Sequence, residues 1–147
     1  MTVANEQTPN GWRWESLENI ALDGAPILYG ILQPGPDITD GVPYVRPTEI
    51  VKDVIDLESI RRTTPAIAAK YKRSLLKPND IILSIVGTIG KVALVPPDLD
   101  GGNITQSSVR IRVRPEITSS RYIAWHCVPR FLPGSSTNIV LELLFRD

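Results

Sequence analysis

Residues 78–95 constrain the fold of this chain more than any other stretch. They read Pro-Asn-Asp-Ile-Ile-Leu-Ser-Ile-Val-Gly-Thr-Ile-Gly-Lys-Val-Ala-Leu-Val, two apolar β-branched runs around the tight segment Gly87-Thr88-Ile89-Gly90. Two glycines three apart between such runs predict a hairpin whose connection needs positive φ or close backbone approach. Strands over 80–86 and 91–95 follow, with Lys91 fixed beside the turn. The spacing does not suit a nucleotide phosphate loop, which needs four residues between its glycines and a Ser or Thr after the lysine. The Gly-x-x-Gly loop of an RNA-binding KH module joins helices, whereas this one joins strands. Two readings of the tip stay open: an ordinary turn, or backbone N–H groups with Thr88 and Lys91 touching a phosphate.

Elsewhere the periodicity alternates between short strands and short helices. Residues 1–10 read as a loose polar tail. Trp12 and Trp14 lead into a helical pattern over 15–21, with Leu17 and Ile20 on one face. Residues 27–32 form a strand interrupted by Gly30, and 33–41 a loop rich in proline and glycine. Short strands follow at 42–46 and 54–57. Thr64-Pro65 starts a helix running to about Tyr71, with a capping hydroxyl followed by proline at the first helical position. Residues 96–102 are turn-rich. Over 108–114, Val109, Ile111 and Val113 fall on one strand face and Arg110, Arg112 and Arg114 on the other, an arginine ladder expected to point outward. A last helix spans 119–128, stopped by Pro129, and residues 139–145 are a final apolar run. The expected fold is α+β: a twisted, mostly antiparallel sheet with a few short helices.

Composition narrows the function. The single cysteine, Cys127, excludes an internal disulfide framework and fits a reducing, cytoplasmic setting. One histidine beside that cysteine makes a metal site unexpected, and no catalytic set or cofactor motif emerges. No run reaches the length of a membrane span. Net charge is zero, yet residues 1–60 hold three basic residues against ten acidic, and residues 61–147 thirteen against six. Such asymmetry suits a chain with one face for a polyanion, or two halves that neutralise each other. Lys70, Lys72, Arg73 and Lys77 are the densest basic group, either a solvated helix end or a set of phosphate contacts. Asn103, Thr105, Gln106, Ser107 and Ser108 are short polar side chains able to read base edges or to cap turns. The arginine ladder either pairs with acids across the sheet or walls a basic groove.

Several ordered motifs together resemble a known family. Gly11-Trp12 with Leu17 and Ile20, Gly41-Val42-Pro43-Tyr44-Val45-Arg46, Lys77-Pro78-Asn79-Asp80, Gly87 to Lys91, and Asn103 to Arg112 resemble a target-recognition domain of the DNA specificity subunit of type I restriction-modification systems. The resemblance covers residues 11–128. It implies a domain over 11–129 that reads double-stranded DNA without doing chemistry, in company with methyltransferase and restriction subunits. The residues carried over as DNA contacts are Arg46, Lys70, Lys72, Arg73, Thr88, Lys91, Gln106 and Ser107. Motifs common to subunits that read different sequences are better suited to scaffold or backbone contacts, so base readers are expected in loops 33–41, 58–64 or 96–102. The chain departs from the family pattern after Pro129, making 130–147 an atypical segment, and no spacer helix follows. A truncated remnant that only docks on a methyltransferase subunit is therefore the alternative expectation.

Overall fold

The computed structural model describes residues 10–127 and 142–146. In chain order the elements are β1 (Trp12–Ser16), α1 (Leu17–Ile20), β2 (Leu28–Tyr29), β3 (Val42–Val45), β4 (Ile50–Val51), β5 (Val54–Ile55), β6 (Arg61–Thr63), α2 (Pro65–Ala69), β7 (Ile81–Ser84), β8 (Val92–Leu94), β9 (Asn103–Ile104), β10 (Ser108–Ile111), α3 (Ser120–Cys127) and β11 (Glu142–Arg146). Short 3-10 turns at Pro47–Glu49, Leu57–Ser59, Lys72–Ser74 and Pro97–Leu99 stitch the strands together. Among the described residues no helix is long and apolar enough to cross a membrane.

The central sheet runs β2-β10-β7-β8, antiparallel throughout. Strand β7 explains how it packs. Ile81, Ile82, Leu83 and Ser84 are all buried, which requires cover on both faces of the sheet. Ile81 and Leu83 face a core made with Val92, Ile111, Val113, Ile20 of α1, and Ile123 and Cys127 of α3. Ile82 and Ala93 face a second core with Val45, Ile50, Ile55, Leu76, Val95, Leu99 and Ile104. The second core lies under the sheet β6-β3-β9, where β3 pairs antiparallel with β6 and parallel with β9. The α+β class and the antiparallel character of the sheets are as the sequence predicts.

Glycine explains the break in the strand at 27–32. A Cβ on Gly30 would stand 1.9 Å from the Ile104 carbonyl oxygen, so only glycine permits this approach. Beyond it, Ile31 forms a lone parallel bridge to Thr105, and β9 thus sits between β3 and the chain around Ile31. Thr64 caps α2, its Oγ1 accepting from the Ile67 N–H at 3.2 Å, with Pro65 behind it.

Two expectations are corrected. Trp12–Ser16 is a strand and only Leu17–Ile20 is helical, because β1 pairs in antiparallel register with β11, from Trp12 opposite Arg146 to Ser16 opposite Glu142. The arginine ladder does not point outward. Arg110 shares a sheet face with Ile82 and is 3% exposed, roofed by the second layer. Its Nη1 and Nη2 donate to the carbonyls of Leu75 (3.2 Å) and Pro26 (2.8 Å).

Candidate nucleic-acid interface

The candidate contacts fall into two groups. The first surrounds the β7–β8 turn. Ser84, buried at the end of β7, accepts the Lys91 N–H at Oγ (2.8 Å) and donates from that hydroxyl to the Thr88 carbonyl. Gly87 (φ +75°) and Gly90 (φ +89°) take the left-handed conformations the spacing called for. The tip is thus a turn built on one buried hydroxyl, with Val86, Thr88 and Ile89 exposed. The Ile85 and Val86 N–H groups donate to the Ser107 carbonyl, so Gln106 and Ser107 lie directly beside this turn. Gln106 is exposed and Ser107 half-buried.

Arg46 joins the same neighbourhood. Its guanidinium is held by the Glu49 carboxylate, which also accepts the Arg46 backbone N–H (2.6 Å). That hydrogen bonding raises the Arg46 pKa further above its ordinary value. Lys91 reaches across to donate from Nζ to the Pro47 carbonyl at 3.0 Å. Arg46 therefore has its charge matched by a carboxylate, whereas Lys91 donates to a neutral carbonyl.

The second group is the segment 61–77. It contains Arg61, Arg62, Lys70, Lys72, Arg73 and Lys77 and no acidic residue. All six are exposed. The helix α2 ends at Ala69, so Lys70 and the turn Lys72–Ser74 emerge at its C-terminal end, where the helix dipole favours cations. Asn103 anchors the turn from below. Fully buried, it accepts from Ser74 Oγ at 2.7 Å and donates to the Tyr71 carbonyl at 3.1 Å. Asn103 is thus a structural anchor and turns no edge to solvent. The Tyr71 hydroxyl accepts the Leu32 N–H at 3.4 Å, tying this cluster to the chain that also holds Gln106 through its N–H to Ile31 (3.0 Å).

Of the three stretches expected to read bases, 33–41 and 96–102 are loops that border the basic segment, whereas 58–64 runs into it as a 3-10 turn and strand β6. Loop 33–41 is sewn to β6: Asp37 accepts the Arg62 N–H (2.8 Å), Thr63 Oγ1 donates to the Pro34 carbonyl (2.6 Å), and the Ile38 N–H donates to the Arg62 carbonyl (3.2 Å). Loop 96–102 abuts its other end, with the Leu76 N–H on the Gly102 carbonyl (2.8 Å) and the Gly101 N–H on the Leu76 carbonyl (2.9 Å). The sequence alone did not show that these loops and the cations adjoin, since the contacts span 24 residues or more.

Of the remaining arginines of the 108–114 stretch, Arg112 is an internal strut and Arg114 makes its ion pair at the surface. Asp80, 1% exposed, accepts both Nε and Nη2 of Arg112 at 2.7 Å and the Lys77 N–H at 2.8 Å. Arg114 pairs with Asp23 at 2.7 Å. Burial, with Arg112 adding to it, lowers the Arg110 pKa, while Asp80 opposes that effect. Neither Arg110 Nε nor Ser108 Oγ, both buried, has a hydrogen-bond partner among the described residues. Burial pushes the Cys127 thiol up to about 11, which makes it a packing group rather than a nucleophile. Among the described residues no group of three His, Cys, Asp or Glu could hold a metal ion.

No protein-family model matches the chain. It is 36% identical over 108 residues to the type I restriction enzyme EcoBI specificity subunit of Escherichia coli, a match covering 74% of this chain and 22% of that protein. The crystal structure of the HsdS subunit from Thermoanaerobacter tengcongensis superposes with a TM-score of 0.60 at 24% identity, covering 86% of this chain and 32% of that one. A type I restriction-modification S subunit from M. genitalium superposes with a TM-score of 0.55 at 13% identity, over 99% and 36% of the two chains. The chain therefore spans about a fifth of the curated relative and about a third of each solved structure.

Proposed function

Because this chain is a relative of the target-recognition domains of type I restriction specificity subunits, we propose that it recognises double-stranded DNA by sequence as part of such a subunit. In this reading it does no chemistry itself and works in the cytoplasm beside methyltransferase and restriction subunits. The observation that carries the reading is the acid-free segment 61–77, bordered at both ends by exposed loops. Phosphate contacts fix a protein's register on a duplex and contribute most of its sequence-independent affinity. Lys70, Lys72 and Arg73 supply such contacts, and Lys91 adds one from the β7–β8 turn. Loops 33–41 and 96–102 adjoin those contacts, and with the stretch 58–64, whose residues Arg61–Thr63 form β6, we assign them to base edges. Thr88, Gln106 and Ser107 line the neighbouring turn as further polar contacts, and Arg46, paired with Glu49, precedes Pro47, whose carbonyl accepts from Lys91.

The test is a duplex-binding titration at two salt concentrations. Three or four phosphate contacts give a log–log slope of about −3, so raising salt from about 50 to about 200 mM should weaken binding roughly 50- to 100-fold. Affinity independent of salt would overturn the proposal.

A further inference from the structure

A second exposed surface has the opposite chemistry. The hairpin β4–β5 turns through Lys52 (φ +51°) and Asp53 (φ +63°), two consecutive non-glycine residues in the left-handed region. Its root is buried: Ile50 and Ile55 are 2% and 5% exposed in the second core, and the Asp56 N–H donates to the Glu49 carbonyl at 2.7 Å. Beside that charged turn the exposed side chains are apolar. Val51 and Val54, directly paired across the strands, are 53% and 66% exposed, and Leu57 just beyond is 41% exposed. Asp53, Asp56 and Glu58 surround these three side chains in sequence, against the single cation Lys52.

An acid-rimmed apolar knob repels a phosphate backbone and suits a protein surface with an apolar socket edged by lysine or arginine. The left-handed turn holds the knob in one shape before contact, which limits the ordering lost on binding. We infer that Val51, Val54 and Leu57 form a docking knob for a protein partner with an apolar socket and a basic rim, separate from the basic segment that meets DNA. The inference rests on the reading above in one respect, the choice of the methyltransferase subunit as probe.

The experiment measures binding of the chain to that methyltransferase subunit by calorimetry, and to duplex DNA by anisotropy, for two variants. Val54→Asp places a charge on the knob, and Asp53→Lys reverses a rim charge at a left-handed turn position of the kind Lys52 already occupies. Each should weaken subunit binding about 10-fold or more, with DNA affinity kept within about two-fold. Unchanged subunit binding in both variants, or no binding by the unaltered chain, overturns the inference even where DNA binding stands. A fall in DNA affinity with Val54→Asp would make the hairpin a DNA contact instead. Concentration-dependent self-association abolished by Val54→Asp would assign the knob to a second copy, and also overturns it. Loss of DNA binding by the unaltered chain, with the knob result intact, rejects the DNA reading alone.

Discussion

Removing the Asp80 carboxylate should unfold much of what holds the central sheet to its neighbours. Asp80 is 1% exposed and accepts three hydrogen bonds, two from the Arg112 fork and one from the Lys77 N–H. Arg112 is only 18% exposed at its side chain, and beside it the more buried Arg110 has its pKa lowered by burial and further by Arg112. In Asp80→Ala both cations stay under the second layer with no carboxylate beside them. Breaking a buried pair in this way costs about 3–5 kcal/mol, a large part of the roughly 5–15 kcal/mol typical of a domain. At this chain length that corresponds to a fall of about 10–15 °C in melting temperature. Asp80→Asn keeps the shape and one acceptor and should cost less, about 2–3 kcal/mol. The double variant Asp80→Ala with Arg112→Met should recover part of the loss, because an apolar side chain then replaces the stranded charge. Urea unfolding followed by circular dichroism measures all three. A cost under about 1 kcal/mol for Asp80→Ala, or no recovery in the double variant, would refute the argument that Asp80 neutralises the interior.

Other perturbations probe the remaining links. Gly30→Ala drives a Cβ into the Ile104 carbonyl and should destabilise by about 3 kcal/mol or more, read in the same unfolding assay; a cost near zero would show that β9 can move aside. Charge reversal of Lys72 and Arg73 together should reduce the salt slope of DNA binding by about 2 and weaken all duplexes alike, seen by anisotropy with matched and scrambled sequences. Cys127, its thiol raised from an ordinary value of 9.0 to about 11, should resist alkylation at pH 8 until the protein unfolds. The folded state holds this proton more tightly than the unfolded chain, so the thiol's contribution to stability is intact below the unfolded thiol's pKa and is lost as pH rises toward about 11.

Local signals reported local structure well. Thr64-Pro65 marks the start of α2, Gly87 and Gly90 the turn between β7 and β8, and Gly30 the broken strand, because in each case the cause lies within a few residues. The failures have non-local causes. Trp12–Ser16 is a strand only because its partner lies at the far end of the chain. The ladder over 108–114 looked half-exposed because period two cannot show whether the polar face is covered. A signal for that cover was present in β7, whose unbroken run Ile81-Ile82-Leu83 implies burial on both sides and so a roof over Arg110 as well. The Lys52-Asp53 turn was missed because such turns normally carry asparagine or glycine. At the candidate interface the residue types were legible and their grouping was not. Tyr71 to Leu32, Asp37 to Arg62 and Lys91 to Pro47 are contacts between distant segments.

The central claim is that the loops around the basic segment read sequence and do not merely adhere to phosphate. Selection of duplexes from a randomised library by the chain, followed by sequencing, tests it most directly. The account predicts enrichment of one short motif, lost when residues of loops 33–41, 58–64 or 96–102 are replaced and kept when Lys72 or Arg73 alone is neutralised. Salt-sensitive binding with no enriched motif would contradict it.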